Sequence, residues 1–188
     1  MADRLFACYW LRGYSTLNML RHFEKMVRLF PLLPQHPSNL ILHVHAISFQ
    51  EPPLSESEFS DPLNIAELIA AAREFLAADV ACQLDAWWGL WQYRREWELR
   101  PARINLSCFG PEFDSPEGEH LRIDFGLDSN FLPRPELPGS ARFVESNLKG
   151  LLKLVHTLDE ALAVERRLLL AESGENFADK LRLSAADL

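Results

Sequence analysis

The sequence predicts an α+β fold: a two-layer sandwich with a mixed or mainly antiparallel sheet of about five strands and three main helices on one face, in the order β-α-β-α-β-β-β-α. Three observations predict it. Between residues 103 and 127 two segments alternate apolar and polar residues with period two. Ile104, Leu106 and Cys108 oppose Arg103, Asn105 and Ser107 in the first, and Leu121, Ile123 and Phe125 oppose Arg122 and Asp124 in the second. Such alternation marks strands with one buried and one polar face. Apolar residues also recur at helical spacing over 17–30 and 141–172. Finally, helical and strand patterns interleave in the first half of the chain, while strands follow one another directly in the second.

Residues 5–11 read as a first strand, rich in aromatics and closed by Arg12 and Gly13. Ser15 or Thr16 can cap the helix that follows, whose stripe is Leu17, Leu20, Val27 and Phe30 with Phe23 and Met26 alongside. Pro31 and Pro34 stop it, and residues 40–49 form a second strand. The acidic stretch 51–60, rich in proline and serine, shows no hydrophobic period and reads as a loop. Asp61-Pro62 pairs an acceptor side chain with a proline at a first helical position, which predicts a helix running to residue 78.

Residues 79–92 read as a long strand, and 93–101 as a charged connection. The two alternating strands follow, joined by 110–119, and then a loop over 128–140 with Pro133, Pro135 and Pro138. Val144, Leu148, Leu151, Val155, Leu158, Leu162, Glu165 and Leu169 then predict one long helix over 141–172, with Gly174 as its stop. A short tail closes the chain. The whole of 1–188 reads as one domain with a tail after about residue 174, long enough to bury about 70% of its unfolded surface.

The formal net charge is −8. That excess repels nucleic-acid phosphates and anionic membranes unless a local basic patch opposes it. The densest candidate, Arg94, Arg95, Arg100 and Arg103, is diluted by Glu96 and Glu98, so neither nucleic acid nor membrane is expected as a partner. No uncharged apolar run approaches the roughly 20 residues that span a bilayer, and the first residues make a poor signal peptide. A cytoplasmic location is the expectation. Cys8, Cys82 and Cys108 are too widely spaced for a zinc pattern and are expected as buried thiols.

No glycine-rich dinucleotide or phosphate loop and no HExxH motif is present, so no cofactor and no particular catalytic residue is expected. Asp124-Phe125-Gly126 copies a kinase triplet without the other kinase elements, and Leu106 and Phe109 flank Ser107-Cys108 too bulkily for a nucleophile elbow. The first functional expectation is therefore a non-enzymatic interaction protein. It would bind a protein partner, or a second copy of itself as a homodimer, through a polar sheet face bearing Trp87, Trp91, Arg103, Asn105 and Arg122. An inhibitor or immunity-type protein masking a basic partner is one form of that expectation.

The alternative is a metal-dependent, hydrolase-like enzyme holding one divalent transition metal. His43 and His45 lie two apart in a strand and so project from one face, where neutral imidazoles can converge on an ion. Asp85 or Asp124 would complete the site, since each sits at a polar position of its own strand, and Glu51 could reach it from the loop. A small-molecule site using Trp87, Trp91 and Arg103 would require a pocket containing all three.

Overall fold

In the computed structural model, which describes residues 3–33 and 39–186, the strands pair into one antiparallel sheet. They are β1 (Arg4–Leu11), β2 (Leu40–Ala46), β3 (Ser55–Phe59), β4 (Val80–Tyr93), β5 (Trp97–Phe109), β6 (Leu121–Leu127) and β7 (Val164–Ala171). The helices are α1 (Met19–Leu29), α2 (Ile65–Arg73), α3 (Ser140–Ala161) and α4 (Phe177–Ala186). Strand order across the sheet is β3-β2-β4-β5-β6-β1-β7, and every pairing is antiparallel. The α+β class is as the sequence predicts, but among the described residues the sheet has seven strands rather than about five, and there are four helices rather than three.

Register explains how the period-two pattern becomes a core. Leu42, Leu84, Leu106, Ile123 and Ala7 lie opposite one another across five successive strands, and all are buried. Met19, Phe23 and Met26 of α1, Leu68 and Ala72 of α2, and Leu151, Leu154, Val155 and Leu158 of α3 pack on this face in one continuous cluster. One position along, the other face carries the row Glu58, Ile41, Asp85, Asn105, Asp124, Phe6 and Leu170. No helix among the described residues is long and apolar enough to cross a membrane.

Four expectations about element boundaries need correction. The predicted loop 51–60 contains the edge strand β3, whose Ser-Glu-Ser-Glu alternation is of two polar residue types and so carries no hydrophobic period. A short, charged edge strand resists pairing with other chains. The predicted connection 93–101 is mostly strand, because the hairpin turn is only 94–96 and Tyr93 faces Trp97. Pro101 is tolerated in β5 because β6 pairs with β5 only from Asn105 onward, leaving the proline on an open edge.

The third correction is the start of α2. Asn64, not Asp61, caps it, accepting the backbone N–H groups of Ala66 (3.1 Å) and Glu67 (3.4 Å) while its amide donates to Glu67 Oε1 (2.7 Å). The fourth is the long helix, which stops at Ala161. Residues 164–171 instead pair with β1 along its whole length, so tertiary pairing overrides the helix preference of Glu, Arg and Leu. The tail after residue 174 is also more ordered than expected. Lys180 of α4 reaches Asp3 Oδ2 (2.5 Å) and Asp128 Oδ2 (2.9 Å), fastening the helix to the start of β1 and the end of β6.

Two histidines flank Tyr14, His22 buried and His120 half-buried, and they give the fold an expected dependence on pH. His120 stacks on Tyr14 with ring centroids 4.2 Å apart, and its Nδ1 accepts the backbone N–H of Leu11 at 2.9 Å, which requires an unprotonated nitrogen. His22 of α1 is buried beside Tyr14. Burial pushes both imidazoles below the ordinary 6.5; Arg21 and Lys25 add to this at His22, whereas Glu165 opposes it at His120. The unfolded chain therefore binds more protons than the folded one just below that value. The stability they contribute is complete above about pH 6.5 and is lost as pH falls through the lowered folded values. Urea unfolding is expected to give a smaller free energy at about pH 5.5 than at about pH 7.5. His120→Asn, which keeps an acceptor for Leu11, is expected to reduce that difference.

Candidate functional site

The open face of the sheet is built by parity. His43 and His45 of β2, Gln83, Asp85 and Trp87 of β4, Arg103, Asn105 and Ser107 of β5, and Arg122 and Asp124 of β6 all alternate with core residues. Asp85 is its centre. Although it lies on the face opposite the helical layer, it is only 5% exposed. Its Oδ1 accepts from the Asn105 amide and from Gln83 Nε2 (3.4 Å), and its Oδ2 accepts from the Arg103 guanidinium and lies 3.3 Å from His43 Nε2. His43 Nδ1 in turn lies 3.1 Å from Glu56 Oε1 on β3. The result is a chain of polar groups, Glu56–His43–Asp85–Arg103, running across four strands. An imidazole carrying both protons can donate to both carboxylates in this arrangement.

Beside Asp85 a pocket of about 290 Å³ opens between Trp87 and Arg103, with Ile41, Asn39 and Glu58 completing its wall. Asn39 Nδ2 donates to Glu58 Oε2 at 2.9 Å, which orients that carboxylate at the rim. The pocket wall thus combines a half-buried indole, an aliphatic side chain and hydrogen-bonding groups of both signs. Such a lining suits a surface that carries both apolar and polar groups.

The other expected site residues are distributed differently. Trp91 is not beside Trp87. Its ring packs on Phe143 of α3 at 4.8 Å, and Trp97 stacks on the same phenylalanine at 5.0 Å while donating Nε1–H to the Pro138 carbonyl. Asn147 of α3 explains this placement. Its side chain bonds both the N–H and the carbonyl of Trp91 (2.9 Å each), pairing with the edge of β4 where β2 has ended. The tryptophan cluster is therefore divided: Trp87 lies on the open face, Trp88 is in the core against Phe30, Phe125 and Phe131, and Trp91 and Trp97 lie against α3. The three-residue pocket of Trp87, Trp91 and Arg103 does not form.

Arg122 is turned sideways, over the Phe6 ring (4.6 Å) and 2.7 Å from Oε1 of the buried Glu119. Glu119 Oε2 also accepts the Glu117 N–H at 2.8 Å, holding the turn before β6. Asp124 takes both Nε (2.8 Å) and Nη2 (2.5 Å) of Arg4 on one oxygen and the Gly126 N–H on the other. His45 leans away from His43, its ring centroid 6.4 Å from that of His43 and 5.0 Å from that of Phe49. Of the proposed ligands, His43 and Asp85 are the pair whose side chains meet, while His45 Nδ1 lies 3.4 Å from the backbone carbonyl of Glu51 and not from its carboxylate. Among the described residues no group of three or more His, Cys, Asp or Glu side chains is placed to hold a metal ion.

The cysteines are free and buried; burial pushes Cys8 up to about 11, against the pull of nearby Arg122, and Cys82 up to about 12. Residues that sequence reasoning missed are Glu56 and Glu58, hidden in the presumed loop, and Asn39. The Ser-Glu alternation before Phe59 was the available signal for the first two. Comparison of the chain with protein-family models, with curated proteins and with solved structures finds no match.

Proposed function

We propose that this protein is a non-enzymatic binding module that receives a protein partner on the face of its sheet opposite the helices. The observation that carries the reading is the contrast between the two faces. One is sealed by α1, α2 and α3, while the other carries the Trp87–Arg103 pocket around an internally satisfied Asp85. Asp85 has its oxygens taken by Asn105, Gln83, Arg103 and His43, which favours a scaffolding role over proton transfer. A network fixed before binding also lowers the ordering cost of association.

Capture on immobilised protein, from extract of the cells that make it, tests this reading when wild type and Trp87→Ala are compared at matched melting temperature. The expected result is a protein retained by wild type and weakened at least about thirtyfold by the substitution, the size of an aromatic hot spot. Retention that ignores Trp87→Ala would remove the pocket from the interface. A concentration-dependent dimer lost in Trp87→Ala would make the partner a second copy.

A further inference from the structure

At the end of the sheet next to His45, the loops after β2 and after β5 meet. Ile47 stands there with φ 67, the left-handed region, and the Ser48 N–H bonds the Ala46 carbonyl across it at 2.7 Å, closing a three-residue γ-turn. This turn is rare and strained, and a β-branched residue is the worst suited to it. The backbone is also pinned on both sides, the Ile47 N–H on the Asp79 carbonyl (2.7 Å) and its carbonyl on the Asp114 N–H (2.9 Å). Burial does not repay this strain, because Ile47 is 61% exposed. Phe49, two residues on, and Leu54, whose N–H bonds the Val44 carbonyl in the paired strand end at 2.7 Å, are also exposed, and Phe49 rests against Phe109 and Phe113.

The surroundings of this apolar knob carry one sign of charge. The chain from 29 to 72 holds no lysine or arginine, and neither does 104–121. These two stretches supply Glu51, Glu112 and Asp114, all exposed, and the exposed Glu56, whose Oε1 lies 3.1 Å from His43 Nδ1. Among the described residues, no lysine or arginine ion-pairs with any of the four. We infer that Ile47, Phe49 and Leu54 form the apolar anchor of a docking surface for a basic protein segment, whose lysines and arginines surround an aliphatic or aromatic residue. The inference rests on the binding-module reading and gives the partner its chemistry. A second copy of this chain fits poorly, since it would bring the same acidic ring against itself.

The test selects displayed random peptides on the full-length protein and counter-screens them on Ile47→Gly, which keeps every charge. Enriched peptides are expected to carry lysine or arginine around an apolar residue. They should bind Ile47→Gly at least about tenfold more weakly than wild type and weaken as salt is added. Ile47→Gly is itself expected to melt no lower than wild type, because glycine adopts this turn without strain. Neutral or acidic peptides, equal binding to both proteins, or a lower melting temperature in Ile47→Gly would each overturn the inference. Peptides that lose affinity on Trp87→Ala but not on Ile47→Gly would overturn it while leaving the sheet-face reading in place. If no peptide binds, the inference fails, and the sheet-face reading is decided separately by the Trp87→Ala capture.

Discussion

Gly110→Ala is expected to lower the unfolding free energy by about 3 kcal/mol or more, beyond the usual cost of an added methyl in a packed interior. A Cβ at this buried position would overlap the Ala78 carbonyl oxygen and sit 2.7 Å from the Ala78 carbonyl carbon and 2.9 Å from the Ala77 oxygen. All three are backbone atoms, so no side chain can rotate away. Nor can the two segments part freely, because the Gly110 N–H bonds the Val80 carbonyl (2.7 Å) and the Glu112 N–H bonds the Ala78 carbonyl (2.8 Å). The same junction places Asp79 and Asp114, the residues that pin Ile47. Urea unfolding of the variant measures the effect. A wild-type midpoint would mean that these loops yield easily, and that the strained turn beside them is not rigidly held.

The legible parts of the fold are those where chemistry and geometry share a period. β5 and β6 could be read from Ile104, Leu106, Ile123 and Phe125 because one face is core and the other is polar. β3 could not, since Ser55–Phe59 has an intermediate and an exposed face rather than a buried one. The end of α3 was hidden for another reason. Leu162, Glu165 and Leu169 continue a helical stripe, but Leu162 caps α3 and the unpaired edge of β1 recruits Glu165 and Leu169 into a strand. In the site, strand parity correctly put His43, Asp85, Arg103 and Asn105 on one face. Parity cannot give the choice of partner, however, so Arg122 could not be seen to turn toward Glu119, nor Trp91 toward Phe143. Ile47 gives no local sign of its turn, because isoleucine is the residue least expected at a positive φ.

Asp85→Ala is expected to cost about 2–3 kcal/mol, because it strands several donors at once rather than breaking one ion pair. Asn105, Gln83 and His43 would each lose their acceptor on a site that is only 5% exposed, where water can replace little of what is lost. Arg103→Ala should cost less, about 1 kcal/mol, because the arginine side chain is 63% exposed and its departure lets water reach the carboxylate. The double variant should then cost less than the sum of the two single ones, since the arginine has nothing to pair with once Asp85 is gone. Equal costs for the two single variants would assign the stabilisation to the Asp85–Arg103 pair instead of the neutral donors. The distinction bears on recognition. If Asn105, Gln83 and His43 hold Asp85, then Arg103 can exchange its contact with Asp85 for one with a partner without loosening the sheet. The pocket wall formed by Trp87 and Ile41 would keep its shape while the charge at its rim changes hands.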